Sequence, residues 1–350
     1  MIVDGKHYRT IWEKRIDDKF ESFFIIDQTK LPFEFETMEI CNYKQGIQAI
    51  VDMNLRGAPL IGVAGAYCVC LALAEFGEIN NDFIAATNLI KNARPTAVNL
   101  SWAVDRVLSA VYSSRDDDKL AVALAEASDI AENDVRNCEL IGLNGLTVVR
   151  DIYEKKNNQK INILTHCNAG WLATVDWGTA LAPIYKAHRA GIDLHVWVDE
   201  TRPRNQGSKL TAWELAKEGI EHTVIADNTG GHLMQSGQVD LVIVGCDRAS
   251  IEGDICNKIG TYLKALAAKD NNVPFYSALP ASTIDYRLTD AVNNVEIELR
   301  SPEEVLYFEG LDDYGRIGKV RIAPEKSNAA NYGFDVTPAR LVTGIITEKG

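Results

Sequence analysis

The sequence predicts an α/β protein, with a C-terminal Rossmann-like parallel-sheet domain behind a mostly helical N-terminal domain that begins with a small β-sheet. Three observations predict it. Short apolar runs alternate with helical patterns from residue 161 onward, helical periodicity dominates residues 41–155, and β-rich patches lie before residue 40. The polar run Lys156-Asn157-Asn158-Gln159-Lys160 separates the two textures and sets the expected domains at 1–155 and 156–350. A chain of 350 residues, 46% of them hydrophobic, has apolar content for a full core in each.

Taken in order, Ser22-Phe-Phe-Ile-Ile26 marks the small N-terminal sheet. Asn42 to Leu55 reads as a helix that stops before Arg56-Gly57, and Pro59 opens a new apolar segment. That segment, Ala58 to Leu73, is interrupted by Pro59 and glycines. It reads as a buried helix rather than a membrane span, which needs roughly 18 uninterrupted apolar residues. Asn99-Leu-Ser-Trp-Ala103 enters an amphipathic stretch, Lys119 to Ala131 is rich in Ala and Leu, and helical periodicity recurs toward Tyr153. Beyond the polar run, Ile161–Thr165 precedes a helical pattern over Ala173–Ala190, and Leu194–Val198 precedes Lys209–Glu218. His222–Ala226 follows, Val239–Gly245 precedes Asn257–Lys269, and Val273–Ser277 comes last. Strand and helix in this rhythm imply right-handed crossovers and a parallel sheet, and the near-continuous apolar strands imply helices on both faces.

The bulk properties exclude several functions. A net charge of −13 argues against general nucleic-acid binding, which needs basic surface. It leaves a small phosphorylated ligand open, since two or three local cations and some backbone N–H groups suffice for that. No G-x-G-x-x-G follows the first strand, so no dinucleotide cofactor is indicated, and no G-x-x-x-x-G-K-[ST] occurs. Residues 1–6 carry no secretory signal pattern. Seven scattered cysteines, an odd number, fit a reduced cytoplasmic protein, and no Cys/His spacing recurs to suggest zinc.

Ligands of open α/β sheets bind beyond the carboxyl ends of the strands. The candidates there are Thr165-His166-Cys167-Asn168, Asp199-Glu200-Thr201-Arg202, Asp227-Asn228-Thr229 and Gly245-Cys246-Asp247-Arg248. Cys167 precedes Asn168-Ala169-Gly170, and a thiol at a helix start has a lowered pKa; the competing reading is a buried structural cysteine. Asp247 is either a proton donor or acceptor at the sheet mouth, or a helix cap and partner of Arg248. Asn257-Lys258 is read at the start of a helical run, where backbone N–H groups suit phosphate. Arg56-Gly57-Ala58-Pro59 and Arg94-Pro95-Thr96 follow the same logic, against the ordinary alternative of surface ion pairs. Arg202, Arg204 and Gln206-Gly207 form a polar loop suited to sugar hydroxyls or to solvent. His166 adjoins Cys167, but neighbours on a strand point to opposite faces, which argues against a dyad.

Longer stretches carry a resemblance. They are Arg56-Gly-Ala-Pro-Leu-Ile-Gly62, Arg94-Pro-Thr-Ala-Val-Asn-Leu100, Thr165-His-Cys-Asn-Ala-Gly170, Glu200-Thr-Arg-Pro-Arg-Asn-Gln-Gly207, Leu210-Thr-Ala-Trp-Glu-Leu215, Gly253-Asp-Ile-Cys-Asn-Lys-Ile-Gly-Thr-Tyr262 and Phe334-Asp-Val-Thr-Pro338. In this order they resemble the S-methyl-5-thioribose-1-phosphate isomerases of methionine salvage, from about Tyr43 to the C-terminus. That family is similar in fold to the α, β and δ regulatory subunits of the translation-initiation nucleotide-exchange factor. The resemblance implies an aldose–ketose isomerase with Cys167 and Asp247 as catalytic pair, and with Arg56, Gly57, Ala58, Arg94, Gln206, Asn257 and Lys258 holding the substrate. It implies a homodimer with no metal or organic cofactor. The alternatives are an isomerase of 5-deoxyribose 1-phosphate or ribose 1,5-bisphosphate, and a non-enzymatic regulatory subunit. A methylthio substituent needs apolar walls, for which Trp171 and Trp177 are the candidates near Cys167.

Overall fold

The computed structural model describes residues 1–94, 98–115 and 118–350. The chain opens with a two-residue ladder, β1 (Ile2–Val3) and β2 (Lys6–His7). The small sheet expected around Ser22–Ile26 is three antiparallel strands, β3 (Ile11–Ile16), β4 (Lys19–Ile26) and β5 (Thr37–Ile40). Five helices follow: α1 (Tyr43–Val51), α2 (Ala58–Phe76), α3 (Asn81–Lys91), α4 (Val98–Ser113) and α5 (Lys119–Lys155).

Helix α2 is apolar all round and buried among the other N-terminal elements, the pattern of a central core helix. It is longer than the sequence reading and uninterrupted. Pro59 lies in its first turn, where a missing N–H costs nothing, and Gly62 lets α4 approach. A Cβ at residue 62 would lie 2.9 Å from the carbonyl oxygen of Asn99. At 19 residues, α2 is long and apolar enough to cross a membrane by length and composition, yet 78% of its most apolar window is buried in the protein. The two helical patterns read before Lys156 form one 37-residue helix, α5, whose far half leaves the N-terminal core. Its Ile141 and Val149 pack beneath the large sheet together with Ile26 and Leu31.

The large sheet comprises β6 (Ile161–Thr165), β7 (Leu194–Asp199), β8 (His222–Ile225), β9 (Leu241–Val244), β12 (Phe275–Ala278) and β17 (Gly344–Ile346). Every pairing in it is parallel, in the order β17-β12-β9-β6-β7-β8. Renumbered along the sheet this is 3-2-1-4-5-6, the order of doubly wound nucleotide-binding folds. Helices α6 (Leu181–Arg189) and α7 (Ala212–Lys217) cover one face with α5. Helices α8 (Thr229–Gln235) and α9 (Thr261–Asp270) cover the other, so residues along a strand alternate between two cores.

Two segments depart from the sequence reading. The first eight residues of Ala173–Ala190 lie outside the α-helix, which begins only at Leu181. Asn257 and Lys258 lie at the end of a strand, not at a helix start. A second sheet holds β10 (Arg248–Ser250), β11 (Ile255–Lys258), β13 (Ile284–Asp285) and β16 (Phe334–Thr337), in the order β13-β10-β11-β16. Partners on both sides satisfy β11: Cys256 opposes Arg248 on β10, and Asn257 and Lys258 oppose Asp335 and Phe334 on β16. Two short helices, α10 (Ala291–Asn294) and α11 (Glu303–Leu306), lead to an exposed hairpin of β14 (Tyr307–Leu311) and β15 (Ile317–Arg321).

Candidate active site

In this strand order the direction of winding reverses between β6 and β9, and the crevice opens beyond their carboxyl ends. The next residues along these strands include Cys167 and Asp247. Both line one cavity of about 230 Å³. Arg56, Gly57, Ala58, Arg94, Gln206, Asn257 and Lys258 line the same cavity, so every site residue expected from the sequence converges on it. Pro95, Thr96 and Ala97 of the Arg94 motif lie outside the described residues.

Cys167 sits in left-handed backbone, φ 67°, an uncommon and strained conformation for a residue with a Cβ. It is pinned from both sides. Its N–H donates to Thr201 Oγ1 at 2.8 Å, and its carbonyl accepts from Thr211 Oγ1 at 2.7 Å. No helix starts here: the next turn is the 3₁₀ segment Trp171–Ala173. The thiol therefore lacks the helix-start stabilisation expected from the sequence. Burial pushes its pKa up, and Lys258 and Arg56 pull part of the way back.

Asp247 is raised by the same cause, with Lys258, Arg94 and Arg56 opposing. The two ordinary readings of this acid fail. The following element is a strand, so Asp247 caps no helix, and Arg248 pairs with Asp285 at 2.5 Å. A buried carboxyl whose pKa is raised above the ordinary carboxylate range is suited to donate a proton.

The cations come from three elements. Arg56 precedes α2, and its guanidinium donates to Asn168 Oδ1 at 2.7 Å and to the Asn168 carbonyl at 2.6 Å. Gly57 makes this approach possible: its φ is 107°, and a Cβ there would stand 2.3 Å from the carbonyl oxygen of Ala173. Ala58 then starts α2 with no side-chain cap, so the helix N-terminus faces the cavity beside Arg56. Arg94 lies 3.5 Å from Glu298. Lys258 donates to the Gly333 carbonyl at 3.0 Å, and burial lowers its pKa against the pull of Cys167 and Asp247. Asn257 donates to Thr261 Oγ1 at 3.1 Å. Gln206 is buried, and its Oε1 has no partner among the described residues.

The apolar walls differ from those expected. Trp171 is fully buried against Trp213, and Trp177 lies under Lys186 and Arg189; neither lines the cavity. The walls are Met53, Ile61, Val98, Pro280, Val295 and Phe334. Arg204 pairs with Glu304, and Arg202 donates to the Val305 carbonyl, so both brace the polar loop. His166 turns from the thiol: Nδ1 lies 2.8 Å from Asp199 Oδ2, and Nε2 lies 2.8 Å from the Ile259 carbonyl. With Asp227 these residues form a set able to hold a metal ion, but the Lys264 ammonium stands 3.1 Å from Asp199 Oδ2 and supplies positive charge there. Sequence reasoning placed Asn168 among the candidates beyond β6 without a role and missed Glu214; together they carry the loop bearing Cys167. The only signal for Glu214 was its place inside Leu210-Thr-Ala-Trp-Glu-Leu215, one of the stretches that carry the resemblance.

Known proteins resemble the chain over its length. Methylthioribose-1-phosphate isomerase of Gluconobacter oxydans is 55% identical over 351 residues, covering 100% of this chain and 95% of the relative. The crystal structure of 5-methylthioribose 1-phosphate isomerase from Pyrococcus horikoshii superposes with a TM-score of 0.83 at 38% identity, covering 99% of this chain and 92% of that one. The structure described as translation initiation factor eIF-2B, subunit delta, from A. fulgidus gives a TM-score of 0.80 at 39% identity, covering 98% and 95%. The model of the initiation factor 2 subunit family matches residues 54–350, and the chain belongs to that family.

Proposed function

We infer that the protein is an aldose–ketose isomerase that converts 5-methylthioribose 1-phosphate into 5-methylthioribulose 1-phosphate. The observation that carries this reading is one cavity holding a thiol, a buried carboxyl with a raised pKa and three cations against apolar walls. Similarity over the full length to relatives bearing that name supports it.

The anomeric oxygen of the substrate is tied to phosphate, so the ring cannot open by hemiacetal exchange. Asp247 gives its proton to the ring oxygen as the bond from that oxygen to C1 breaks. Hydrogen then moves from C2 to C1, the 2-hydroxyl loses its proton to the Asp247 carboxylate, and C2 becomes the ketone. Arg56, Arg94, Lys258 and the start of α2 offset the phosphate charge. Two routes move the hydrogen. In the proton route the Cys167 thiolate removes it from C2 and an enediol forms. In the hydride route it passes directly, and Cys167 stabilises the cationic intermediate. Solvent deuterium at C1 of the product supports the proton route, and complete retention of a C2 label sinks it.

Ribose 1,5-bisphosphate is disfavoured by the apolar lining, because a second phosphate needs another cluster of cations. The test of substrate class is ketose formation from 5-methylthioribose 1-phosphate, 5-deoxyribose 1-phosphate and ribose 1,5-bisphosphate in parallel. The first should have the highest kcat/KM. Turnover of none of them contradicts the enzyme reading and favours a regulatory subunit. The working form is proposed as a cytoplasmic homodimer, for which light scattering should give about twice the 38.7 kDa chain mass.

A further inference from the structure

We propose that Glu214, which does not line the cavity, is a positioning residue that sets the guanidinium of Arg56 through the side-chain amide of Asn168. The proposal rests on the reading of Arg56 as a phosphate ligand.

Glu214 lies on α7 and is fully buried. Its carboxylate meets four donors. Oε1 accepts from Asn168 Nδ2 at 2.8 Å and from the Leu172 N–H at 3.2 Å. Oε2 accepts from the Trp171 N–H at 2.9 Å and from the Tyr185 hydroxyl at 2.5 Å. A carboxylate accepts only, so it suits a site where every neighbour donates. Burial pushes its pKa from 4.5 up to about 7 against the pull of these four bonds, and the ionised form is the one that satisfies all four donors. The loop is drawn tight around it, since a Cβ at Gly170 would fall 1.9 Å from Glu214 Oε2.

The consequence reaches the cavity through one amide. Asn168 Nδ2 is committed to Glu214, with Thr211 Oγ1 a further 3.2 Å partner. Its Oδ1 must then face the other way, toward Arg56 Nη1, while the Asn168 carbonyl takes Nη2. A flipped amide would present an NH₂ group to a guanidinium, donor against donor. The acceptor-only character of Glu214 thus decides which end of Asn168 the arginine meets. The N–H of Cys167 is held outside this path, by Thr201, and only its carbonyl meets Thr211, which also accepts from Asn168. Disturbing Glu214 should therefore weaken anion binding more than it slows the chemical steps.

The experiment measures the Kd of inorganic phosphate by calorimetry, with kcat and KM for 5-methylthioribose 1-phosphate, on wild type, Glu214→Gln, Asn168→Ala and the double variant. A glutamine opposes an NH₂ to at least one of the donors and removes the charge. Each single variant should raise the phosphate Kd and KM about tenfold, with kcat changed less than threefold. The double variant should be no worse than the worse single one, because both act along one path. A folded Glu214→Gln protein with wild-type phosphate Kd and KM overturns the proposal, as does a double variant whose loss is the product of the two. If Glu214→Gln does not fold, an Asn168→Ala protein with unchanged phosphate Kd overturns it equally. A wild type that binds phosphate but does not turn the sugar over contradicts the substrate assignment alone. A wild type that binds no phosphate contradicts the role of Arg56 and this proposal with it.

Discussion

The two walls of the cavity are built differently. One is the carboxyl edge of the parallel sheet, where Cys167 follows β6 and Asp247 follows β9 on either side of the winding reversal. The other is assembled from separate elements: the start of α2 with Arg56, the segment carrying Arg94, and β11 of the antiparallel sheet with Asn257 and Lys258. The sheet edge brings the groups able to exchange protons, and the assembled wall brings most of the fixed charge. The sheet edge is set by backbone topology and tolerates little movement. The assembled wall depends on long-range packing, as with Arg56 against Asn168, 112 positions away in sequence. The proposed division of labour is that the first wall governs turnover and the second governs affinity.

Several outcomes would break or sharpen that division. The largest effect is expected at Asp247. Asp247→Asn removes the proton donor and should lower kcat about a thousandfold, within the usual range for general acids. Because burial raises this carboxyl, the wild type should keep its acid form above the ordinary carboxyl range. Its kcat/KM should then fall as pH rises through that raised pKa, and the variant should lack this limb. On the opposite wall, Lys258→Met keeps an apolar chain but deletes the ammonium, which lies 4.8 Å from the centre of the Phe334 ring. A charge-assisted hydrogen bond is worth roughly 1.5–3 kcal/mol, so KM should rise about ten- to hundredfold with kcat less affected. A matching loss in kcat would show that the lysine acts only in the transition state and would blur the division.

Gly57→Ala tests the joint between the walls. The positive φ and the nearby Ala173 carbonyl leave no room for a Cβ. Melting temperature should drop and KM should rise together, since Arg56 moves with the strained turn. Unchanged values would show that the turn relaxes freely.

The smallest expected effect lies away from the cavity. Asp134 on α5 accepts the Val175 N–H at 2.7 Å, and burial raises its pKa from 3.8 to about 7. The folded state thus holds this proton more tightly than the unfolded chain does. The resulting stability is fully present below about pH 4 and is lost as pH rises through about 7. Melting temperature should therefore decline between about pH 4 and pH 7 and level off above that. Asp134→Asn, which keeps an acceptor for Val175, should flatten the decline, and an identical slope in the variant would exclude this source.

The contrast between the walls also explains what was legible in the sequence. Strand β6 was read with its observed limits, because apolar runs bounded by turn residues mark buried strands. The loops beyond β6 and β9 then followed from topology alone. Helix α2 was recognised as buried, though Pro59 and Gly62 hid its continuity. Strand β11 was misread because Asn257 and Lys258 are poor strand formers. Their pairing comes from β16, across residues far away in the chain, and no local pattern encodes it. The same holds for β17, which completes the large sheet from the last residues of the chain. Identifying the cavity's cations rested on long motifs rather than on periodicity. The carboxylate behind Asn168 stayed invisible because a buried glutamate on an amphipathic helix looks like any solvated one.

The most direct test is the steady-state kinetics of Cys167→Ser with 5-methylthioribose 1-phosphate. The hydroxyl keeps the size and the backbone bonds of residue 167 but lacks the acidity and nucleophilicity of a thiol. The account predicts kcat lower by about two to three orders of magnitude, in the range for a group acting on proton transfer, with KM within threefold of wild type. Wild-type turnover by this variant would contradict the placement of the chemistry on the sheet edge.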